Sequence, residues 1–191
     1  MKLFYKKIIL ILFLLITYQS FCTASSIRGL DGFEWQAIDA IKNARNHSNM
    51  GNIYFKEESY YMALKEYQIA YNLTYDMNAS STYLYNIARC FIKLNNYNAA
   101  KSALEGAIEK NCLNMTYYKT LVDVYIKLNI HKRELKRCLN DNSNPYNRII
   151  AGLIFLQTGD TYAAKGIFDE FVTVNPDMII TDDIKNILNK L

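Results

Sequence analysis

The segment Ile92-Lys93-Leu94-Asn95 recurs residue for residue at 126–129, 34 residues further along the chain. The similarity extends outwards at the same offset, because Thr82-Tyr83 corresponds to Thr116-Tyr117. A period of 34 residues is the length of one helix-turn-helix unit, and such units bury their apolar faces by stacking on one another. The repeat therefore predicts an all-α architecture.

Composition agrees with a helical protein that has a substantial core. The chain has 191 residues, of which 51% are hydrophobic and only two are proline. Three of the positive charges behind the net charge of +4 come from Lys2, Lys6 and Lys7 in segment 1–24, which contains no acidic residue. The rest of the chain has 19 basic and 18 acidic residues. Nucleic-acid binding usually requires a basic face, and the balanced charge predicts no nucleic-acid partner.

Residues 1–24 have the pattern of a secretory signal peptide. Lys6-Lys7 precede a short apolar run at 8–16, and Cys22 and Ala24 supply small residues near the end. This order is typical of a cleaved signal, and the apolar run is shorter than the roughly 20 residues of a membrane span. We expect export to the periplasm or exterior without a stable membrane span after cleavage. The alternative is a membrane-anchored protein that keeps this segment. Bulky Phe21 disfavours lipidation at Cys22.

Small and large residues also recur at fixed places, and these carry a resemblance to the tetratricopeptide repeat family over residues 44–178. Where two helices cross, small residues must face large ones. Within each unit of 34, small residues are expected at positions 8, 20 and 27 and large ones at positions 7, 11 and 24. The matches are Gly51, Ala63, Tyr67 and Ala70 in unit 44–77; Ala88, Ala100, Leu104 and Ala107 in unit 81–114; and Gly152, Ala164 and Phe168 in unit 145–178.

The resemblance implies a right-handed superhelical α-solenoid of antiparallel helix pairs. Unit 115–144 is irregular, because Glu134 stands where a small residue is expected and the unit is too short. The spacing also indicates an insertion at 78–80, which we expect to form a loop. Residues 25–43 are interpreted as a linker and an N-terminal helix that either continues into the first unit or breaks near 46–49. Residues 179–191 are predicted to form a capping helix, which terminal repeats need.

The sequence predicts neither an enzyme nor a metal or cofactor site. It contains no nucleophile elbow, no zinc-protease motif and no glycine-rich phosphate loop. Cys90, Cys112 and Cys138 remain after cleavage and have no metal-ligand spacing. A Cys112–Cys138 disulfide is an open alternative in an exported protein. Four Asn-x-Ser/Thr sequons, at Asn46, Asn72, Asn78 and Asn114, are glycosylation candidates, with Asn78 expected to be the most accessible.

The resemblance further implies that the first helix of each unit lines a concave groove, with positions 2, 5, 9, 12 and 13 facing it. Lys56, Lys93 and Lys127 all occupy position 13 and are predicted to form a ladder of positive charge. The alternative is that they are solvated cations near helix C-termini, where positive charge is favoured. The predicted groove residues are Asn52, Lys56, Tyr85, Arg89, Lys93, Lys119, Lys127, Leu153 and Leu156.

These features together predict an exported repeat scaffold that binds a peptide or helix of a protein partner in its groove. Helix-in-groove recognition needs an apolar trough with a few polar anchors. The carboxylate clamp of some chaperone-binding repeat proteins is matched only by Asn52 and Asn86, so we expect that clamp to be absent. The alternative function is a structural or envelope-assembly adaptor that acts through its convex face or by self-association.

Overall fold

A computed structural model describes residues 38–141 and 143–191. The predicted signal peptide and residues 25–37 of the predicted linker lie outside the described residues. The repeats lie in the compact unit formed by residues 44–191. The described residues form helices and turns without a strand, so the predicted all-α solenoid of antiparallel helix pairs is confirmed. None of these helices is long and apolar enough to cross a bilayer.

The helices pair in sequence order. Helix α1 runs through residues 38–56 without a break at 46–49. The others are α2 Tyr60–Leu73, α3 Met77–Lys93, α4 Tyr97–Lys110, α5 Met115–Lys127, α6 His131–Asn140, α7 Tyr146–Gln157, α8 Thr161–Val174 and α9 Ile180–Leu188. Helices α1, α3, α5 and α7 are the first members of the four pairs, and α9 packs against α8 at the C-terminal end.

The same backbone turn joins the two helices of every pair. Glu58, Asn95, Asn129 and Gly159 have φ values of 60°, 57°, 56° and 89°. In each case the next residue donates its N–H to the main-chain oxygen of the residue five positions earlier, for example Asn96 N to Phe91 O at 2.8 Å. This is the Schellman arrangement, in which a left-handed residue ends the helix. The final Asn of each copy of the repeated tetrapeptide is that residue.

Packing inside the first and last pairs places a small residue against a large ring, as the repeat pattern predicts. A Cβ atom on Gly51 would lie 2.7 Å from the Tyr67 ring, and one on Gly152 would lie 2.4 Å from the Phe168 ring. Both rings are fully buried. The absent side chains therefore allow the two helices of the first and last pairs to approach closely, which a Cβ would prevent.

The third pair is distorted around a buried acid. Helix α6 has 10 residues, whereas α2, α4 and α8 have 14 each. Glu134 is only 6% exposed and accepts hydrogen bonds from Arg133 and Arg137, both at 2.8 Å. Burial alone would raise the pKa of Glu134, but the hydrogen bonds and positive charges of the two arginines outweigh it and lower that pKa.

Two local expectations differ from the structure. Residues 78–80 do not form a loop, because they lie in the first turns of α3, which Asp76 caps by accepting from Ala79 N. The insertion thus lengthens a helix, and Asn78 lies exposed on it. Cys112 and Cys138 are free thiols, so the alternative of a disulfide is not realised in this structure.

Candidate functional site

A strip of rings and cations crosses the face formed by the first helices of the first two pairs. We call Phe55, Tyr85 and Arg89, with the neighbouring Tyr60 and Lys93, the arginine strip. Phe55 lies in the last turn of α1, Tyr60 begins α2, and the other three lie on α3. The strip therefore depends on the stacking of one pair against the next.

Arg89 is the centre of the arginine strip. Its guanidinium carbon lies 4.3 Å from the centroid of the Phe55 ring and 6.0 Å from that of Tyr85. Such cation–π contacts contribute roughly 0.5–2 kcal/mol each, more where water is excluded. Its Nη1 donates to Asn86 Oδ1 at 3.3 Å, and no carboxylate within the described part of the chain pairs with it. The rings thus fix the guanidinium while leaving most of its donors unused.

Two further contacts extend the arginine strip in opposite directions. Lys93 Nζ lies 5.9 Å from the centroid of the Tyr60 ring. At the other end, the Tyr85 ring contacts that of Tyr117 of α5 with centroids 5.0 Å apart. Tyr117 is itself buried, so it supports Tyr85 and offers little surface of its own. The half-buried Tyr85 is consequently held rigidly at the boundary between α3 and α5.

The structure distributes the predicted groove residues among several environments. Tyr85, Arg89 and Lys93 come together in the arginine strip, whereas Lys56 and Lys127 are exposed at the ends of α1 and α5. The lysine ladder predicted from position 13 stays a prediction, because only Lys93 makes a defined ring contact.

Three other predicted residues have roles within the fold. Asn52 accepts a hydrogen bond from Tyr67 Oη at 2.7 Å, and burial raises the pKa of Tyr67 to about 12. Leu153 is only 2% exposed and belongs to the core cluster that includes Ile180 and Ile184 of α9. The prediction that Leu153 presents an apolar groove surface is therefore wrong. Leu156 is half-buried beside the same core.

Lys119 lies apart from the arginine strip, in an open cavity of about 780 Å³ between the start of α5 and helix α9. We call this the amide cavity, because four asparagines contribute to its lining. Its lining residues are Asn78, Asn111, Leu113, Asn114, Met115, Thr116, Lys119, Asp183, Asn186, Ile187 and Lys190. Neither this cavity nor any other part of the described structure brings together three or more His, Cys, Asp or Glu residues that could hold a metal ion.

Sequence reasoning missed several of these residues. Phe55 lies at position 12, one of the positions expected to face the groove, so an aromatic residue there was a usable signal. Tyr60 begins a second helix and Asn111 lies in the connection between pairs. Tyr60 recurs as Tyr97 at position 17 of the next unit, but position 17 is not one of the first-helix positions expected to face the groove. No periodic signal indicates Asn111.

Comparison with known proteins supports the repeat. Residues 81–109 match the family model of the tetratricopeptide repeat, which confirms the repeat predicted for that part of the chain. No curated protein matches the chain.

The solved structures that resemble this chain are distant in sequence. A tetratricopeptide repeat protein from Parabacteroides merdae is 14% identical with a TM-score of 0.50, over 78% of this chain and 60% of that chain. The Arabidopsis OM64 TPR domain is 16% identical with a TM-score of 0.45, over 79% and 98% of the respective chains. YrrB, described as a TPR protein with an unusual peptide-binding site, is 18% identical with a TM-score of 0.44, over 78% and 97%. The first likeness shows the fold alone.

Proposed function

We propose that this chain is a non-enzymatic, exported interaction scaffold that binds an acidic peptide or helix of a protein partner along its first helices. The observation that carries the proposal is Arg89. A guanidinium held between two rings, with unused donors and no carboxylate partner among the described residues, is ready to receive a carboxylate. Arginine suits this task because its planar fork binds carboxylates bidentately.

Charge around Arg89 supports an acidic partner. Lys93 lies one helical turn further along α3, and Lys127 is exposed at the matching place on α5. Charges of one sign on a binding face accelerate association with an oppositely charged partner and suppress association with others. Phe55 and Tyr85, which are half-buried, provide apolar surface beside these charges. A partner with acidic residues flanking an apolar one fits this arrangement.

Anisotropy of a labelled (Glu-Ala-Ala-Ala)3 peptide tests the proposal, with (Gln-Ala-Ala-Ala)3 as the neutral counterpart. Loss of a hydrogen bond to a charged group costs about 1.5–3 kcal/mol, so Arg89→Gln should weaken binding of the acidic peptide by about 10- to 100-fold. The charge reversal Lys93→Glu/Lys127→Glu should abolish it without lowering the melting temperature.

The matched control reverses two exposed lysines on second helices, Lys136 of α6 and Lys165 of α8. It produces the same change in net charge and should leave most of the binding intact. Equal loss in the control pair would show that only net charge matters. Equal binding of the acidic and neutral peptides, or no saturable binding by the native chain, would contradict the proposal.

Self-association is the second candidate, and exposed apolar residues on the first helix pair favour it. Met50 and Ile53 of α1 are 41% and 49% exposed, and Tyr61 and Met62 of α2 are 75% and 46% exposed. Large exposed apolar side chains that cluster often mark a protein interface. An oligomer in size-exclusion chromatography that persists in Lys93→Glu/Lys127→Glu would favour this candidate over the first-helix face.

Export is the part of the proposal that depends on residues 1–24. The basic start, short apolar run and small residues near Ala24 support it. Mass spectrometry of the mature N-terminus tests it, since cleavage should leave Ser25 as the first residue. An intact N-terminus on a membrane-bound chain would favour a retained anchor.

A further inference from the structure

The amide cavity has a surplus of hydrogen-bond donors on the wall formed by α3 and α5. Asn114 Oδ1 accepts from Thr116 N at 3.0 Å, Asn111 Oδ1 accepts from Leu113 N at 3.0 Å, and Asn78 Oδ1 accepts from Asn111 Nδ2 at 3.4 Å. These carbonyl oxygens are engaged by the protein itself. The Nδ2 groups of Asn78 and Asn114 have no acceptor within the described residues, so two primary amides and Lys119 offer donors to this wall.

The opposite wall, formed by α9, offers a different set of groups. Asp183 supplies a carboxylate, Asn186 supplies a complete primary amide, and Lys190 supplies a further cation. Ile187 and Leu113 add apolar surface to the lining. The cavity thus presents donors, acceptors and apolar patches together, and its charged residues nearly balance. This mixture does not favour a small, highly charged anion.

An extended peptide main chain has the matching chemistry. Each of its residues carries one carbonyl acceptor and one N–H donor. A primary amide pairs with a peptide bond because it bears the same groups. A helical partner uses its main-chain groups internally, so it cannot satisfy this lining. The volume of about 780 Å³ lies within the usual range for ligand pockets.

Helix α5 links the amide cavity to the arginine strip, although the two share no residue. Tyr117, which supports Tyr85 at the end of the strip, lies on α5 between Thr116 and Lys119, and both of these line the cavity. A partner chain that passes over Tyr85 and continues along the first turns of α5 is therefore directed towards the cavity.

We infer that the amide cavity holds an extended segment of the bound partner by its main chain. Carbonyl oxygens of the partner accept hydrogen bonds from the Nδ2 groups of Asn78 and Asn114, and a partner N–H donates to the Asp183 carboxylate. This inference rests on the proposed function, and it adds that the partner segment is extended at this place. Recognition through the main chain tolerates many side chains, so sequence preference is expected to come from the acidic residues at the arginine strip.

The test compares two labelled acidic peptides on the full chain by anisotropy. The (Glu-Gly-Ser-Gly)3 peptide favours an extended chain, whereas (Glu-Ala-Ala-Ala)3 favours a helix. The variant Asn78→Ser/Asn114→Ser keeps a hydroxyl acceptor for the α5 N-cap and removes both amide donors. It should weaken binding of the glycine-rich peptide by about tenfold, as expected for two lost hydrogen bonds. Binding of the helical peptide should stay unchanged.

Arg89→Gln separates the two ideas. It should weaken both peptides, because both place carboxylates on the arginine strip. If Arg89→Gln weakens both while Asn78→Ser/Asn114→Ser changes neither, the cavity inference is wrong and the proposed function stands. The cavity inference would also be overturned if Asn78→Ser/Asn114→Ser weakened the binding of both peptides equally. A third peptide, the sarcosine analogue (Glu-Sar-Ser-Sar)3, lacks half of the N–H donors, and binding as tight as that of (Glu-Gly-Ser-Gly)3 would overturn the inference as well. If the native chain binds neither peptide, both ideas fail.

Discussion

Gly152→Ala tests the close approach of α7 and α8. The new Cβ would lie 2.4 Å from Phe168 Cε1, 2.7 Å from Cζ and 2.8 Å from Cδ1. Carbon atoms in contact normally lie about 3.5–4.0 Å apart, so the methyl group overlaps the ring by more than about 1 Å. Phe168 is fully buried in the core cluster and cannot swing into solvent.

The magnitude follows from two opposing effects. Overpacking of a dense core costs about 1–3 kcal/mol, and an overlap this large belongs at the upper end. Replacing glycine by alanine within a helix returns about 1 kcal/mol of helix propensity. We therefore expect a net destabilisation of about 2 kcal/mol, which corresponds to a fall in melting temperature of about 4–8 °C for a chain of this size.

Gly166→Ala is the matched control, because Gly166 also lies in a helix but a Cβ there meets nothing within 4 Å. Gly166→Ala should gain only the stabilisation that comes from the higher helix propensity of alanine, and this should raise the melting temperature by about 2–4 °C. Thermal unfolding followed by circular dichroism measures both. If Gly152→Ala also raised the melting temperature, the close approach of the helices would be refuted.

A double substitution extends the test to the pairing rule itself. The second pair of helices places Ala88 and Leu104, both fully buried, where the last pair places Gly152 and Phe168. Gly152→Ala/Phe168→Leu copies that combination into the last pair. Its destabilisation should be smaller than the sum of the two single effects by at least about 1 kcal/mol, since contacting residues couple. Simple additivity would show that the two residues do not share one site.

Two further predictions concern the turns and the buried acid. Glu58→Gly should raise the melting temperature by about 2–8 °C, because an ordinary side chain with positive φ costs about 1–2 kcal/mol and glycine avoids this cost. An unchanged or lower melting temperature would contradict the left-handed turn. Glu134 has a lowered pKa, so its contribution to stability is present above the unfolded value of about 4.3 and is lost as the pH falls through the folded value. The native chain should exceed Glu134→Gln in melting temperature at pH 7, and this excess should shrink as the pH falls below the unfolded value. A difference in melting temperature that is independent of pH would refute this reasoning.

The core could be predicted from the sequence because the same packing problem recurs in every pair. Small residues at position 8 face large ones at position 24, and the alternation is visible wherever both are present. Among the four inter-helix turns, only the one at Gly159 has a glycine, the residue that most readily adopts a positive φ. Asn95 and Asn129 adopt the same conformation, and their identical sequence context was the available signal.

The packing of the irregular third pair could not be predicted from the repeat period. Glu134 departs from the small residue expected at its position, and the spacing alone correctly identifies an anomaly there. How the fold accommodates it could not be foreseen, because the answer depends on two neighbours. Arg133 and Arg137 both reach the carboxylate from exposed positions on the same short helix. A buried charge is tolerated when it is paired and hydrogen-bonded.

The face that binds partners is less predictable than the core, and position 9 of the repeat shows the physical reason. Asn52 bonds the buried Tyr67 within its own pair, and Arg89 lies over the ring of Phe55 in the preceding pair. Asp123 accepts from Gln157 in the following pair, and Leu153 is buried in the core that continues into α9. The side chains at this one repeat position therefore have four different environments, each determined by a different neighbouring element. A core position meets the same partner in each pair, whereas a face position is defined by whatever the adjacent pair presents. Of the four, only Arg89 is a cation, and it lies against the rings of Phe55 and Tyr85 with no carboxylate partner among the described residues. This is why Arg89, rather than the lysines at position 13, is the strongest candidate anchor for an acidic partner.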